Sequence, residues 1–231
     1  MKTIKVLDLN FKYDDILFEK LNLEIKGRTL NTLVGPNGCG KTTLAYIIAG
    51  FIKSNNVYFD DEMVSNSYLK KNVMYVNEFS NIKIRNSHNN EINIIVNSII
   101  QKKYKTNAER NLLNILMAIE NKPDLLILDD ILNTIENKKE ILDIIRNEHI
   151  TLINITNDIE ESLYMDNIII LNEGKIIVNS KTKNVLKKEK LLKENKINLP
   201  FMIDLSNKLK FYDLIDEPII DMDEMVDRLW K

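Results

Sequence analysis

Glycine is scarce in this chain. There are six in 231 residues, and none lies between Phe51 and Glu173. Histidine occurs only at His88 and His149, and glutamine only at Gln101. Any mid-chain motif that needs a glycine pair, a histidine or a glutamine must use those positions. The lone cysteine, Cys39, excludes an internal disulfide and fits a reducing cytosol. No apolar run approaches membrane-spanning length; the longest, such as Ile168 to Leu171, are strand-sized. Charge of one sign is not in excess either. With 32 Lys+Arg against 34 Asp+Glu the net charge is -2, so no nucleic-acid partner is expected. The opening residues Met1 to Lys5 are not followed by an apolar segment, so no signal peptide is expected.

What is present is enough for a real core. At 44% hydrophobic and 29% charged, the composition suits one large domain, or one domain with a small appendage. Thr3 to Leu9 and Leu21 to Ile25 alternate like strands, and Leu30 to Val34 is a buried one. A helix is predicted from Lys41 to about Phe51, with Leu44, Ile47, Ile48 and Phe51 on one face. Val57 to Phe59 and Val73 to Val76 read as strands. From Glu91 the period becomes helical, through Ile92, Ile95, Val96, Ile99 and Ile100, then Leu112, Ile115, Leu116 and Ile119. Pro123 ends this insert. Leu125 to Leu128 is a fully apolar strand that runs into Asp129 and Asp130. A helix from Lys138 to Arg146, a strand from Ile150 to Ile155 and a hairpin over 168–178 follow. Alternation of apolar strands with helices predicts an α/β fold with a central sheet covered on both faces. After Ser180 only short helices are expected, punctuated by Pro200 and Pro218.

Half of the glycines fall in one segment. Gly35-Pro36-Asn37-Gly38-Cys39-Gly40-Lys41-Thr42 fits G-x-x-x-x-G-K-[ST] between a strand and a helix. Glycines let successive backbone N–H groups turn inward on phosphate oxygens. Lys41 is placed to reach the β- and γ-phosphates, and the Thr42 hydroxyl to meet Mg²⁺. The helix that starts at Lys41 adds its positive end. The apolar strand ending at Asp129 is the second half of such a site, a carboxylate that holds Mg²⁺. Asp130 is either a second functional acid or a solvent-facing turn residue. For Cys39, the oriented N–H groups and Lys41 favour a thiolate that reports nucleotide occupancy; the alternative is a buried, inert sulfur.

GPNGCGKTTL (35–44), LLILDD (125–130), ITLINITNDIEES (150–162) and NIIILNEGKII (167–177) together resemble the ATPase subunit of ABC transporters. The segments Leu199-Pro200-Phe201 to Lys210 and Asp221 to Trp230 are similar to the C-terminal extension of energy-coupling factor (ECF) transporter ATPases. The resemblance implies a P-loop NTPase, ABC-type nucleotide-binding domain over 1–180, with a shortened helical subdomain at about 78–122. It implies a helical, ECF-like extension over 181–231. It implies ATP and Mg²⁺ as cofactors, bound by Gly35, Pro36, Asn37, Gly38, Cys39, Gly40, Lys41, Thr42 and Thr43, with Tyr13 stacking on adenine. Thr42, Asp129 and Asn77, at the Q-loop position, would serve the metal; Asp130 and Asn157 would stand at the catalytic positions. The implied partners are a second ABC ATPase subunit, identical or paralogous, a transmembrane coupling protein and a substrate-binding membrane subunit. The implied location is the cytoplasmic face of the membrane, as a peripheral protein.

The chain also departs from the family. The Leu-Ser-Gly-Gly-Gln signature falls at Lys105-Thr106-Asn107-Ala108-Glu109, where no glycine exists. Asn77 replaces the Q-loop glutamine, Asp130 the catalytic glutamate and Asn157 the switch histidine. The helical subdomain is short, with 27 residues (78–104) between Asn77 and the signature position. Mg-ATP binding is therefore expected to survive and hydrolysis to be slow or partner-dependent. Two readings stay open. One is a transporter subunit taking up a vitamin, metal ion or other small molecule; the other is a nucleotide-bound structural or regulatory protein. A small-molecule P-loop kinase would leave Asn157-Asp158, the 167–177 hairpin and the tail unexplained.

Overall fold

The computed structural model describes residues 2–83, 90–217, 219 and 222–229. In chain order its elements are β1 (Ile4–Lys12), β2 (Ile16–Ile25), β3 (Leu30–Val34), α1 (Lys41–Ile48), β4 (Val57–Phe59), β5 (Glu62–Met63), α2 (Asn66–Asn72), β6 (Val73–Val76), α3 (Asn90–Ile100), α4 (Asn107–Glu120), β7 (Leu125–Asp129), α5 (Lys138–Asn147), β8 (Thr151–Ile155), β9 (Asn167–Asn172), β10 (Lys175–Lys181), α6 (Thr182–Leu186), α7 (Glu189–Glu194), α8 (Phe201–Phe211) and α9 (Met222–Leu229). Single 3-10 turns sit at Leu132–Thr134 and Ile159–Tyr164. Pro218, Asp221 and Trp230, which the sequence reading used, lie outside the described residues.

The expected central sheet has the order β10-β9-β3-β8-β7-β6. It is parallel from β9 to β6, and β10 returns antiparallel on β9. All five residues of β3 and of β8 are buried, as strands covered on both faces require. The sequence reading did not foresee a second sheet. β2, β1, β4 and β5 form it, antiparallel throughout. It packs with α1 on one face of the central sheet, around Phe18, Leu44, Ile48, Ile127 and Ile153. The opposite face is covered by α4 and α5 through Ile115, Leu116, Leu142 and Ile145.

Two boundaries differ from expectation. β2 begins at Ile16, not Leu21, because Phe18 is buried against β1, opposite Phe11. Register shifts along β1 hide that alternation from a period-two reading. α1 stops at Ile48, and Gly50 turns the chain at φ 75°, so Phe51 leaves the helix and is exposed. The tail does not stand apart. Val185, Leu186, Leu192, Ile197 and Ile203 pack on Val34, Ile159, Ile168 and Ile170 of the sheet side. Met202, Ile215, Ile219 and Met225 make a small cluster of the tail's own.

One buried polar link joins these layers. Glu161 is 1% exposed. Asn154 Nδ2 of β8 donates to its Oε2 at 2.6 Å, and Lys138 Nζ at the start of α5 lies 3.5 Å from its Oε1. Removing one partner of a buried pair leaves a poorly solvated charge. Lys138→Met is therefore expected to lower the free energy of unfolding by about 2 kcal/mol in a urea titration. An unchanged midpoint and slope would contradict the role given to this pair.

Candidate nucleotide-binding site

The site lies where β3 and β7 end side by side, either side of β8. β3 leads into the phosphate loop, and two glycines there are dictated by space and backbone. A Cβ on Gly35 would come 1.9 Å from the carbonyl oxygen of Leu171, so only glycine lets the loop pass β9. Gly40, at φ 108°, is the N-cap of α1. Asn37 and Gly38 are exposed at the loop's tip, and Pro36 and Thr43 are half-buried.

Lys41 is buried, and its ammonium is held by the loop itself. Nζ donates to Gly35 O at 2.7 Å and to Pro36 O at 3.1 Å. The Thr42 hydroxyl donates to Asp129 Oδ2 at 3.1 Å. The expected residues of the two motifs, 87 positions apart, thus meet directly. A hydroxyl and a carboxylate side by side are the hard oxygen donors Mg²⁺ prefers, next to an ammonium suited to phosphate. The residues present therefore fit Mg-ATP.

Asp130 sits at the next position in a left-handed conformation, φ 53°, with its N–H donating to Ile155 O at 3.0 Å. Burial, helped by the neighbouring Asp129 carboxylate, pushes its carboxyl up from the ordinary range; Lys41 and the Asn157 backbone N–H oppose the shift. Its side chain is exposed, beside Lys41 and the Asn157 backbone N–H. Asn157 is exposed. It lines a cavity of about 550 Å³ with Pro36, Asn37, Asp158, Lys196 and Asn198. A larger groove of about 1080 Å³ lies elsewhere, between α3 and α5.

Three expectations change or narrow. Cys39 is buried, and burial pushes its thiol up despite the opposing pull of Lys41. The thiolate expected from the helix end is not favoured, because desolvation outweighs it. Asn77 is drawn into its own turn: its Oδ1 accepts from Phe79 N at 3.1 Å and from Ser80 Oγ at 3.0 Å. It stands one residue past the Val76–Leu128 pair, level with Asp129, but its oxygen is engaged locally. Tyr13 is 61% exposed at the β1–β2 turn, in a T-shaped contact with Phe11 at 4.9 Å.

Tyr75, not among the expected residues, also joins the site. Its hydroxyl donates to Asp129 Oδ2 at 2.6 Å, and burial followed by Asp129 pushes its ionisation far up. A lone hydroxyl in the strand Val-Met-Tyr-Val was the available signal.

The signature position has a definite structure. Thr106 caps α4, accepting from Glu109 N at 3.1 Å, while Glu109 Oε2 accepts from Thr106 N at 2.9 Å. This capping box consumes N–H groups that a helix start otherwise offers to an anion. Lys102, and then the Thr106 N–H, holds the Glu109 carboxyl below its usual range. Asn107 and Ala108 thus stand where the family has glycines, and the Glu109 carboxylate where it has glutamine.

The ABC transporter family model matches residues 18–133, which include the phosphate loop, Asp129 and Asp130. The chain belongs to the ABC transporter family. It is 25% identical to the energy-coupling factor transporter ATP-binding protein EcfA1 of Mycoplasma mobile, over 99% of this chain and 96% of that protein. It is 31% identical to the spermidine/putrescine import ATP-binding protein PotA of Borrelia garinii subsp. bavariensis, over 75% of this chain and 61% of that protein. Among solved structures, cbiO1 from Clostridium perfringens, part of the ABC transporter complex cbiONQ, superposes with a TM-score of 0.66 at 21% identity, over 83% of this chain and 93% of that one. A nucleotide-free ATP-binding cassette from an ABC transporter gives 0.67 at 17% identity, over 83% and 98%. These structural likenesses establish the ABC nucleotide-binding fold. No helix among the described residues is long and apolar enough to cross a membrane.

Cys39 gives a direct check on the loop. Maleimide labelling at neutral pH is expected to be slower in the folded chain than in urea. It should accelerate with pH through a midpoint above the ordinary 9.0. Equal rates in the folded and unfolded chain would contradict the burial described.

Proposed function

We propose that this ABC ATPase subunit is the ATP-binding component of an ECF-type transporter. It couples Mg-ATP binding, with slow or partner-dependent hydrolysis, to uptake of a small molecule such as a vitamin or metal ion. The observation that carries the reading is the direct Thr42–Asp129 contact beside a buried Lys41. The alignment with the EcfA1 protein of Mycoplasma mobile, which spans nearly the whole chain, favours the ECF branch over the polyamine importers.

In this proposal the loop from Gly35 to Thr43 binds the phosphates through its free N–H groups and Lys41, and Tyr13 stacks on the base. Charge on the β- and γ-phosphates would be neutralised by Mg²⁺. Thr42 and Asp129 hold it, and Asn77 joins them only if its turn opens. Asp130 orients the attacking water, with a side chain one methylene shorter than glutamate. Asn157 donates a hydrogen bond without a positive charge, so stabilisation of the developing charge is weaker. The groove between α3 and α5, with Ile94 and Ile95 on its wall, is the proposed seat for a transmembrane coupling protein. The subunit then lies on the cytoplasmic face of the membrane. A second ATPase subunit completes the assembly. Asn107 and Ala108 at the glycine positions support the second reading, a nucleotide-bound regulatory protein, because without glycine the backbone there is less able to approach a partner's γ-phosphate.

Lys41→Ala is expected to abolish ATP binding in equilibrium titration; unchanged affinity would falsify the phosphate-loop assignment. Single-turnover hydrolysis by the isolated chain should stay below about 1 s⁻¹, the low end for ordinary enzymes. Asp130→Glu with Asn157→His, beside a partner that supplies an intact signature, should recover at least about tenfold in rate, with non-additive effects. A double variant as slow as the parent rules these two residues out as the main defect. Copurification with a transmembrane coupling protein separates the transporter reading from the regulatory one.

A further inference from the structure

We infer that Tyr75 is a positioning residue for the cation half of the site: its phenol and the Thr42 hydroxyl together saturate one oxygen of Asp129 and direct the other toward Mg²⁺. The inference rests on the Mg-ATP reading above and extends it to a residue outside both motifs.

Tyr75 lies on β6, paired with Ile127 of β7, two residues before Asp129. Its hydroxyl reaches Asp129 Oδ2 at 2.6 Å, the short distance expected of a hydroxyl on a carboxylate. Thr42 Oγ1 donates to the same atom at 3.1 Å. A carboxylate oxygen offers about two acceptor directions. The two donors therefore fill Oδ2, and Oδ1 is the oxygen turned to a metal ion or its waters. Thr42 keeps its lone pairs for the cation while its hydrogen stays on Asp129. Mg²⁺ demands near-octahedral geometry and keeps several waters, so the angle of this carboxylate matters. Without the phenol, the terminal torsion of an aspartate is broad and two-fold.

The tyrosine is itself braced. The rings of Tyr46 and Phe51 meet it edge-on at 5.2 and 5.7 Å, and they meet each other at 5.7 Å. Tyr46 lies on α1, one turn beyond Thr42. One helix therefore supplies both the hydroxyl that meets the cation and the ring that fixes its orienting partner.

A tyrosine that merely packs would change stability and leave the metal dependence alone. The test is equilibrium ATP binding to the full chain, in Mg²⁺ and in EDTA, for the parent, Tyr75→Phe, Tyr46→Phe and Asp129→Asn. The quantity read is the enhancement of affinity by Mg²⁺. Tyr75→Phe should keep the parent's affinity in EDTA and lose roughly tenfold of the enhancement. Tyr46→Phe, which keeps the bracing ring, should keep the enhancement, and Asp129→Asn should lose all of it. The inference is overturned if Tyr75→Phe keeps the full enhancement, if it loses binding in EDTA as well, or if the parent shows no enhancement. A parent that binds no ATP under either condition sinks the Mg-ATP reading itself, a separate and recognisable outcome.

Discussion

The contact between Thr42 and Asp129 is the constraint on which the site depends. It ties the first turn of α1 to the end of β7 across the intervening strand β8. For these two side chains to meet, β3, β8 and β7 must be parallel and in the observed register. That in turn requires both faces of the sheet to be covered, because parallel strands of this kind expose no polar side to water. The antiparallel sheet with α1 on one face, and α4 and α5 on the other, supply that cover. Phosphate recognition and core packing are in this sense one problem. Gly35 belongs to both: it begins the loop, and it is the only residue type that clears the Leu171 carbonyl.

The C-terminal helices belong to the same arrangement. They rest on Val34, the last residue before the loop, and on Ile159, two residues after Asn157. The N–H of Phe201, at the start of α8, donates to the Glu160 carboxylate. The tail is thus fastened to the segment that carries the switch position, and its residues share a cavity with the loop and with Asn157.

Much of this was legible in the sequence. The bounds of β3 and β6 and the start of α1 follow from apolar runs and from glycine positions, because these are local signals. The meeting of Thr42 with Asp129 followed from chemistry: both residue types serve one cation. The rest was not local. The second sheet pairs β1 with β4 across more than forty residues, and periodicity carries no pairing information. Tyr75 read as one more apolar strand residue until β7 placed a carboxylate beside it. For Cys39 the sequence leaves a thiolate and a buried, inert sulfur both open, because desolvation is a property of the packed loop, not of its composition. Asn77 was placed at the right strand end, but its short side chain satisfies its own turn, as asparagine commonly does.

The two sides of the chain are unequal: the phosphate-loop side is assembled, and the signature side presents a capped helix with Asn107 and Ala108 in place of glycines and Glu109 in place of glutamine. On the function proposed above, such a chain would bind nucleotide on one face and fail to grip a copy's nucleotide with the other. Sedimentation of the purified chain with saturating Mg-ATP tests this directly. The account predicts that the chain binds ATP and remains monomeric at micromolar concentration. A tight dimer that forms with ATP and dissociates without it would contradict the account.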